Sequence, residues 1–289
     1  MEKFESTRIE QKHIEYILEF IENHHDKICE VSINPVMRDD IFPLLEKQHC
    51  VVIYYPIDNE ENNGFHVSDN VNNEILHFVY INTAQHKEKQ IFTAAHELGH
   101  VWDIEKWIQG KIGFADNNYI ERIVNRFAAE LLMPEEQFRK FFHNKITTVC
   151  NPNGLIKITD MIRVITSVMN EFFTSYKSVV YRLYELKLIS VNNGVRLWGD
   201  DPDCPRKIIE EYSRRISQEQ GYSRLYQTHM HYSINGLEEL LDIARTQKAM
   251  PDQWLSAFYE RFKIEPKEQE RILETPLPEV LCDEGDMDD

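Results

Sequence analysis

His96, Glu97 and His100 fall within the run His96, Glu97, Leu98, Gly99, His100. In a helix, residues four apart share a face, so both imidazoles can reach one metal ion while Glu97 projects to the side. Zn2+ accepts neutral imidazole nitrogen, and in catalytic sites it takes three protein ligands and leaves one position to water, whose pKa falls to about 7. Glu97 is then the candidate base, taking the water's proton during attack on a peptide carbonyl and passing it to the leaving amine. A chain with 12 histidines matches this pattern by chance in about one case in twenty, so the motif needs support from its surroundings.

The support comes from three features. Ile91, Ala95, Leu98 and Trp102 recur at helical spacing and build a core-facing stripe under the motif. Gly99 costs about 1 kcal/mol relative to Ala inside a helix, which signals either close approach of another backbone or a nearby helix end. The third is a second helical run, residues 119–133, where Glu121 and Asn125 lie four apart on one face. Glu121 can complete a His, His, Glu metal site, and Asn125 can orient a histidine from behind. Glu130 is the competing third ligand. At about 100° per residue it lies on the opposite helix face from Glu121, so only one of the two can point at the ion, and Glu121 is favoured.

These helices need a frame. Residues 8–25 and 35–50 read as helices, and 50–55, 64–67 and 76–82 read as short strands of a small antiparallel sheet. Residues 84–107 are expected as one helix, followed by a turn-rich stretch at 109–118. Residues 155–198 read as two helices and a hairpin around Asn192, Asn193 and Gly194, an order like a winged helix-turn-helix. Helices are expected again over 205–220, 235–246 and 252–262. The fold class is α+β, with divisions at 1–150, 151–199, a helical C-terminal domain over 200–273, and an acidic, disordered tail over 274–289.

Composition narrows the class. The chain has 289 residues, 42% hydrophobic and 28% charged, with a net charge of −17, the profile of a folded protein that repels nucleic acid and anionic membranes. Residues 155–200 hold six Lys or Arg against four Asp or Glu, which argues against direct nucleic-acid binding by the helix-turn-helix-like region. No stretch approaches a membrane span and the N-terminus lacks the apolar core of a secretory signal, so a cytoplasmic location is expected. The five cysteines are scattered without CxxC spacing, as expected of reduced thiols.

The order of N-terminal helices, short strands, FTAAHELGH and then ERIVNRFAAELLMP resembles the ImmA/IrrE family of metallo-endopeptidases, a compact group similar to the thermolysin-like gluzincins. The likeness covers residues 8–142 and continues more faintly to 197. It implies a small zincin-like peptidase domain of helices and a short twisted sheet. It also implies that His96, His100 and Glu121 bind zinc and that Glu97 is the base. Family members commonly have Ala where this chain has Val124, beside the ligand helix's Asn. By the same likeness, residues 78–82 are expected to form the cleft rim, with an exposed edge able to pair with an extended substrate. The implied activity is limited proteolysis of a regulatory protein, such as a helix-turn-helix repressor or an antitoxin-like partner. The alternative is a catalytically inactive metal-binding sensor or scaffold acting through its C-terminal helices.

Overall fold

The computed structural model describes residues 8–264 apart from 60–61, 72–73, 114, 152–155, 202–203 and 229. The expected acidic tail, 274–289, lies outside the described residues. Contacts divide the chain into two compact units, one ending at Gly236 and one beginning at Leu237.

The first unit opens with helices α1 (Gln11–Glu22), α2 (His25–Cys29) and α3 (Ile41–Glu46). Strands β1 (Cys50–Tyr55), β2 (Gly64–Val71) and β3 (Glu74–Asn82) follow, then α4 (Lys87–Val101), α5 (Ile104–Ile112), α6 (Asn117–Leu132) and α7 (Glu135–Thr147). Next come α8 (Ile158–Phe172), α9 (Tyr176–Glu185), α10 (Val191–Trp198), β4 (Asp200–Asp201), β5 (Cys204–Pro205), α11 (Arg206–Glu219) and β6 (Ser233–Ile234). Helix α8 packs against both α7 and α11, so residues on either side of 150 and 199 share this unit. The second unit contributes α12 (Leu237–Thr246) and α13 (Asp252–Phe262), close to the helical spans read from the sequence. Among the described residues, no helix is long and apolar enough to cross a membrane.

The sheet is mixed rather than antiparallel, in the order β2, β3, β1, β6. Strand β3 pairs in parallel with β1, from Cys50 opposite His77 to Tyr55 opposite Asn82, and antiparallel with β2. The near-continuous apolar run of β3 suits a strand with neighbours on both sides, whereas β2 carries polar residues such as Ser68, Asp69 and Asn70 and forms the edge. The expectation that residues 78–82 form an exposed rim is therefore corrected, because both edges of β3 are already paired. Val52, Val79 and Ile81 are fully buried with Ile91, Ala94, Ala95 and Leu98 of α4 in one core. This burial fixes the motif helix beneath the sheet.

The hairpin expected around Asn192–Gly194 is helix α10. Ser190 caps it, its hydroxyl accepting from the Asn193 N–H at 3.3 Å, and this capping outweighs the turn signal of the Asn-Gly pair. Gly199 ends it at a φ of 88°, where a side chain would collide with the Arg206 backbone. The two-residue pairing of β4 with β5 follows immediately.

Candidate metal centre

Helix α4 buries most of its surface, and its partly open stripe is Phe92, His96 and His100, on successive turns. The two Nε2 atoms of His96 and His100 face each other at 3.1 Å. Across from them, α6 starts at Asp116, whose carboxylate accepts from the Tyr119 N–H at 2.9 Å. It turns Ile120, Ile123, Val124 and Phe127 into the core and leaves Glu121 and Asn125 exposed. Glu121 Oε2 lies 3.3 Å from His96 Nε2, and Oε1 lies 3.7 Å from His100 Nε2. One donor atom from each of the three residues lies within 4.8 Å of the others.

The Nδ1 side of each ring is held separately. His96 Nδ1–H donates to Asn125 Oδ1 at 3.2 Å, and His100 Nδ1–H donates to Glu105 Oε1 at 2.5 Å. With both Nδ1 atoms acting as donors, both Nε2 lone pairs point at one place, already shared by the Glu121 carboxylate. Two lone pairs and a carboxylate converging this closely suit a cation, so the residues present fit a divalent metal.

The electrostatics follow from burial and these pairs. Burial pushes the Glu97 carboxyl above its usual range, although His96 and His100 pull the other way. For Glu121, the close approach of His96 leads and, with His100, lowers the carboxyl despite partial burial. Burial opposes protonation of His100, but its bond to Glu105 and the charges of Glu105, Glu97 and Glu121 outweigh this and raise its pKa.

Gly99 has a packing reason. A Cβ there would meet Phe127 Cδ1 at 3.0 Å and Val124 Cγ1 at 3.1 Å, so its bare backbone lets α4 lie close to α6 and brings Glu121 within reach of the histidines. Glu130, the competing ligand, is buried, and both of its oxygens are taken. Arg126 donates to Oε1 at 2.8 Å, and Arg182 donates to Oε1 at 2.8 Å and to Oε2 at 2.5 Å.

Sequence reasoning brought His96, Glu97, His100, Glu121 and Asn125 into one place and missed two further groups. Glu105 escapes a helical-spacing argument because the expected single helix breaks. Asp103 adopts a left-handed conformation, with φ at 58°, and the turn it makes carries the first turn of α5 back to His100. An Asp just after the motif helix was the available signal, since Asp tolerates this region better than most residues. His66 on β2 stacks on His100 with ring centroids 5.9 Å apart, and its Nε2 lies 2.8 Å from His77 Nδ1 on β3. Burial, followed by the neighbouring His77 and His100, lowers the His66 pKa to about 4. Only the strand register brings this pair over the motif helix, and the sequence shows no spacing that would.

A helix presenting two histidines, a carboxylate from the next helix and a sheet edge packed on the motif helix form the arrangement expected of an HExxH metallopeptidase. Residues 45–184 match the Peptidase M78 family, the IrrE N-terminal-like domain, and this match supports an ImmA/IrrE-family metallopeptidase domain in that segment. No curated protein matches the chain.

Proposed function

We propose that the chain is a zinc-dependent endopeptidase that performs limited proteolysis of a regulatory protein. A helix-turn-helix repressor or antitoxin-like partner is the substrate class that family likeness suggests. The observation that carries this reading is the convergence of His96, His100 and Glu121 with both histidines held from behind. Two imidazoles and one carboxylate form a donor set suited to zinc. When bound, the ion supplies Lewis acidity that polarises the peptide carbonyl and lowers the pKa of water to about 7.

The chain's own groups do the rest. Asn125 and Glu105 hold the imidazoles in the tautomer that leaves Nε2 free to ligate. Glu97, buried beside His96 and His100, accepts the proton of the attacking water and hands it to the departing amine. Burial raises its carboxyl pKa, the direction that favours accepting a proton. Strand β2 is the edge that can take an extended substrate backbone. Unchanged cleavage by folded variants with proline at Val67 or Ser68 would exclude that role. A cytoplasmic setting fits the free thiols of Cys29, Cys50, Cys150 and Cys204.

The test pairs the zinc-loaded full chain with small helix-turn-helix regulators, co-expressed one at a time, and reads new termini by mass spectrometry. A cut in at least one regulator, abolished by Glu97→Gln with the metal retained, is expected. Cleavage that survives Glu97→Gln overturns the reading.

A further inference from the structure

The cleft continues beyond the metal centre. Along α4 the partly open stripe runs from His100 through His96 to Phe92, and along α6 the same face runs from the exposed Glu121 and Asn125 to the buried Ala129. Each step is one helical turn, or about 6 Å. Immediately past Asn125, which holds His96, lies a cavity of about 350 Å³ lined by Phe92, Ala129, Met133, Tyr181 and Trp198 among others. Tyr181 and Trp198 come from α9 and α10, so the helical region after the motif helices supplies one wall.

The cations around this cavity are already engaged. Arg126 and Arg182 are paired with Glu130 and Glu185. Lys177 lies over the Trp198 ring at 4.9 Å, and Arg122 lies over Tyr119 at 4.8 Å. What remains to meet an incoming group is chiefly aromatic and aliphatic surface. Such surface gains most from a large apolar side chain and little from a carboxylate that would have to compete with Glu130 and Glu185.

We propose that this cavity is a specificity pocket for a large apolar side chain, aromatic or long aliphatic, carried by the substrate residue adjoining the scissile bond. The proposal rests on the peptidase reading, since the pocket matters only if a peptide carbonyl sits at the neighbouring centre. One helical turn from the ligands is the distance a side chain spans from a backbone held there.

The test measures binding of simple amino-acid hydroxamates to the zinc-loaded full chain by calorimetry, with the chelating head constant and the side chain varied among Gly, Leu, Phe and Asp. Leu and Phe are expected to bind about 10-fold or more tightly than Gly. Ala129→Phe, which fills the cavity floor, should erase that preference, and Trp198→Ala, away from the α4 and α6 packing, should weaken it for Phe. Equal affinity for Gly and Phe, or a preference for Asp, overturns the pocket while leaving the metal centre standing. If no hydroxamate binds, Gly included, the metal-centre reading itself fails and the pocket fails with it.

Discussion

Glu121, in the N-terminal half of α6, is half exposed and faces His96 and His100, whereas Glu130, nine residues later, is buried between Arg126 and Arg182. The residue type and the helix are the same, but the surroundings differ. A carboxylate that is to ligate must keep lone pairs uncommitted and avoid heavy desolvation, which an open cleft permits. A carboxylate buried in the core is tolerated only when guanidinium groups saturate both oxygens. One half of α6 thus keeps a carboxylate open toward the two histidines, and the other ties the helix to α9 through Arg182.

The contrast yields a graded series of expected outcomes. The largest concerns chemistry on the open side: Glu97→Gln should lower turnover by about 100-fold to 10,000-fold with zinc content and melting temperature unchanged. A parallel loss of zinc would show that Glu97 serves the site structurally. On the buried side, Glu130→Gln or Arg182→Met strands a charge and should cost about 3–5 kcal/mol in chemical denaturation. A cost near zero would remove the structural half of the contrast.

The same network sets a pH dependence. Burial pushes the Glu130 carboxyl up, but Arg182 and Arg126 outweigh it and hold its pKa below the usual range. Because the folded value lies below the unfolded one, its stabilisation is complete above an unfolded pKa of about 4.3 and is lost as pH falls through the folded value. Wild type should therefore lose stability more steeply than Glu130→Gln as denaturation is measured from pH 5 downward, a range taken on the order of these carboxylate values. Parallel curves would mean that Glu130 titrates normally. The smallest effects belong to the groups behind the ligands. Asn125→Ala and Glu105→Gln should each weaken zinc binding by about 10-fold to 100-fold in chelator competition, and unchanged affinity would show that neither orients its histidine.

How much of this could be read beforehand depended on whether an interaction stayed within one helix. The motif helix, its buried stripe and the face shared by Glu121 and Asn125 all follow from a period of 3.6 residues, and each was legible. The surroundings of Glu130 were half legible: periodicity placed it on the helix face away from Glu121, but Arg182, 52 residues away, could be found only in three dimensions. Glu105 was hidden by a left-handed turn at Asp103. His66 was hidden by a strand order in which β3 lies between β1 and β2, so that an edge strand rather than the central one overlies the centre. The Asn-Gly turn signal misread α10 because the Ser190 cap competes with it locally. Gly99 was visible as an anomaly, and its cause, the approach of Val124 and Phe127, was not.

The most direct test of the contrast within α6 is the zinc content of purified full-length Glu121→Gln and Glu130→Gln, measured side by side with wild type after equal loading and dialysis. The account predicts that Glu121→Gln loses its zinc while folding normally, and that Glu130→Gln is less stable but keeps the zinc content of wild type. Zinc retained by Glu121→Gln and lost from a folded Glu130→Gln would contradict it.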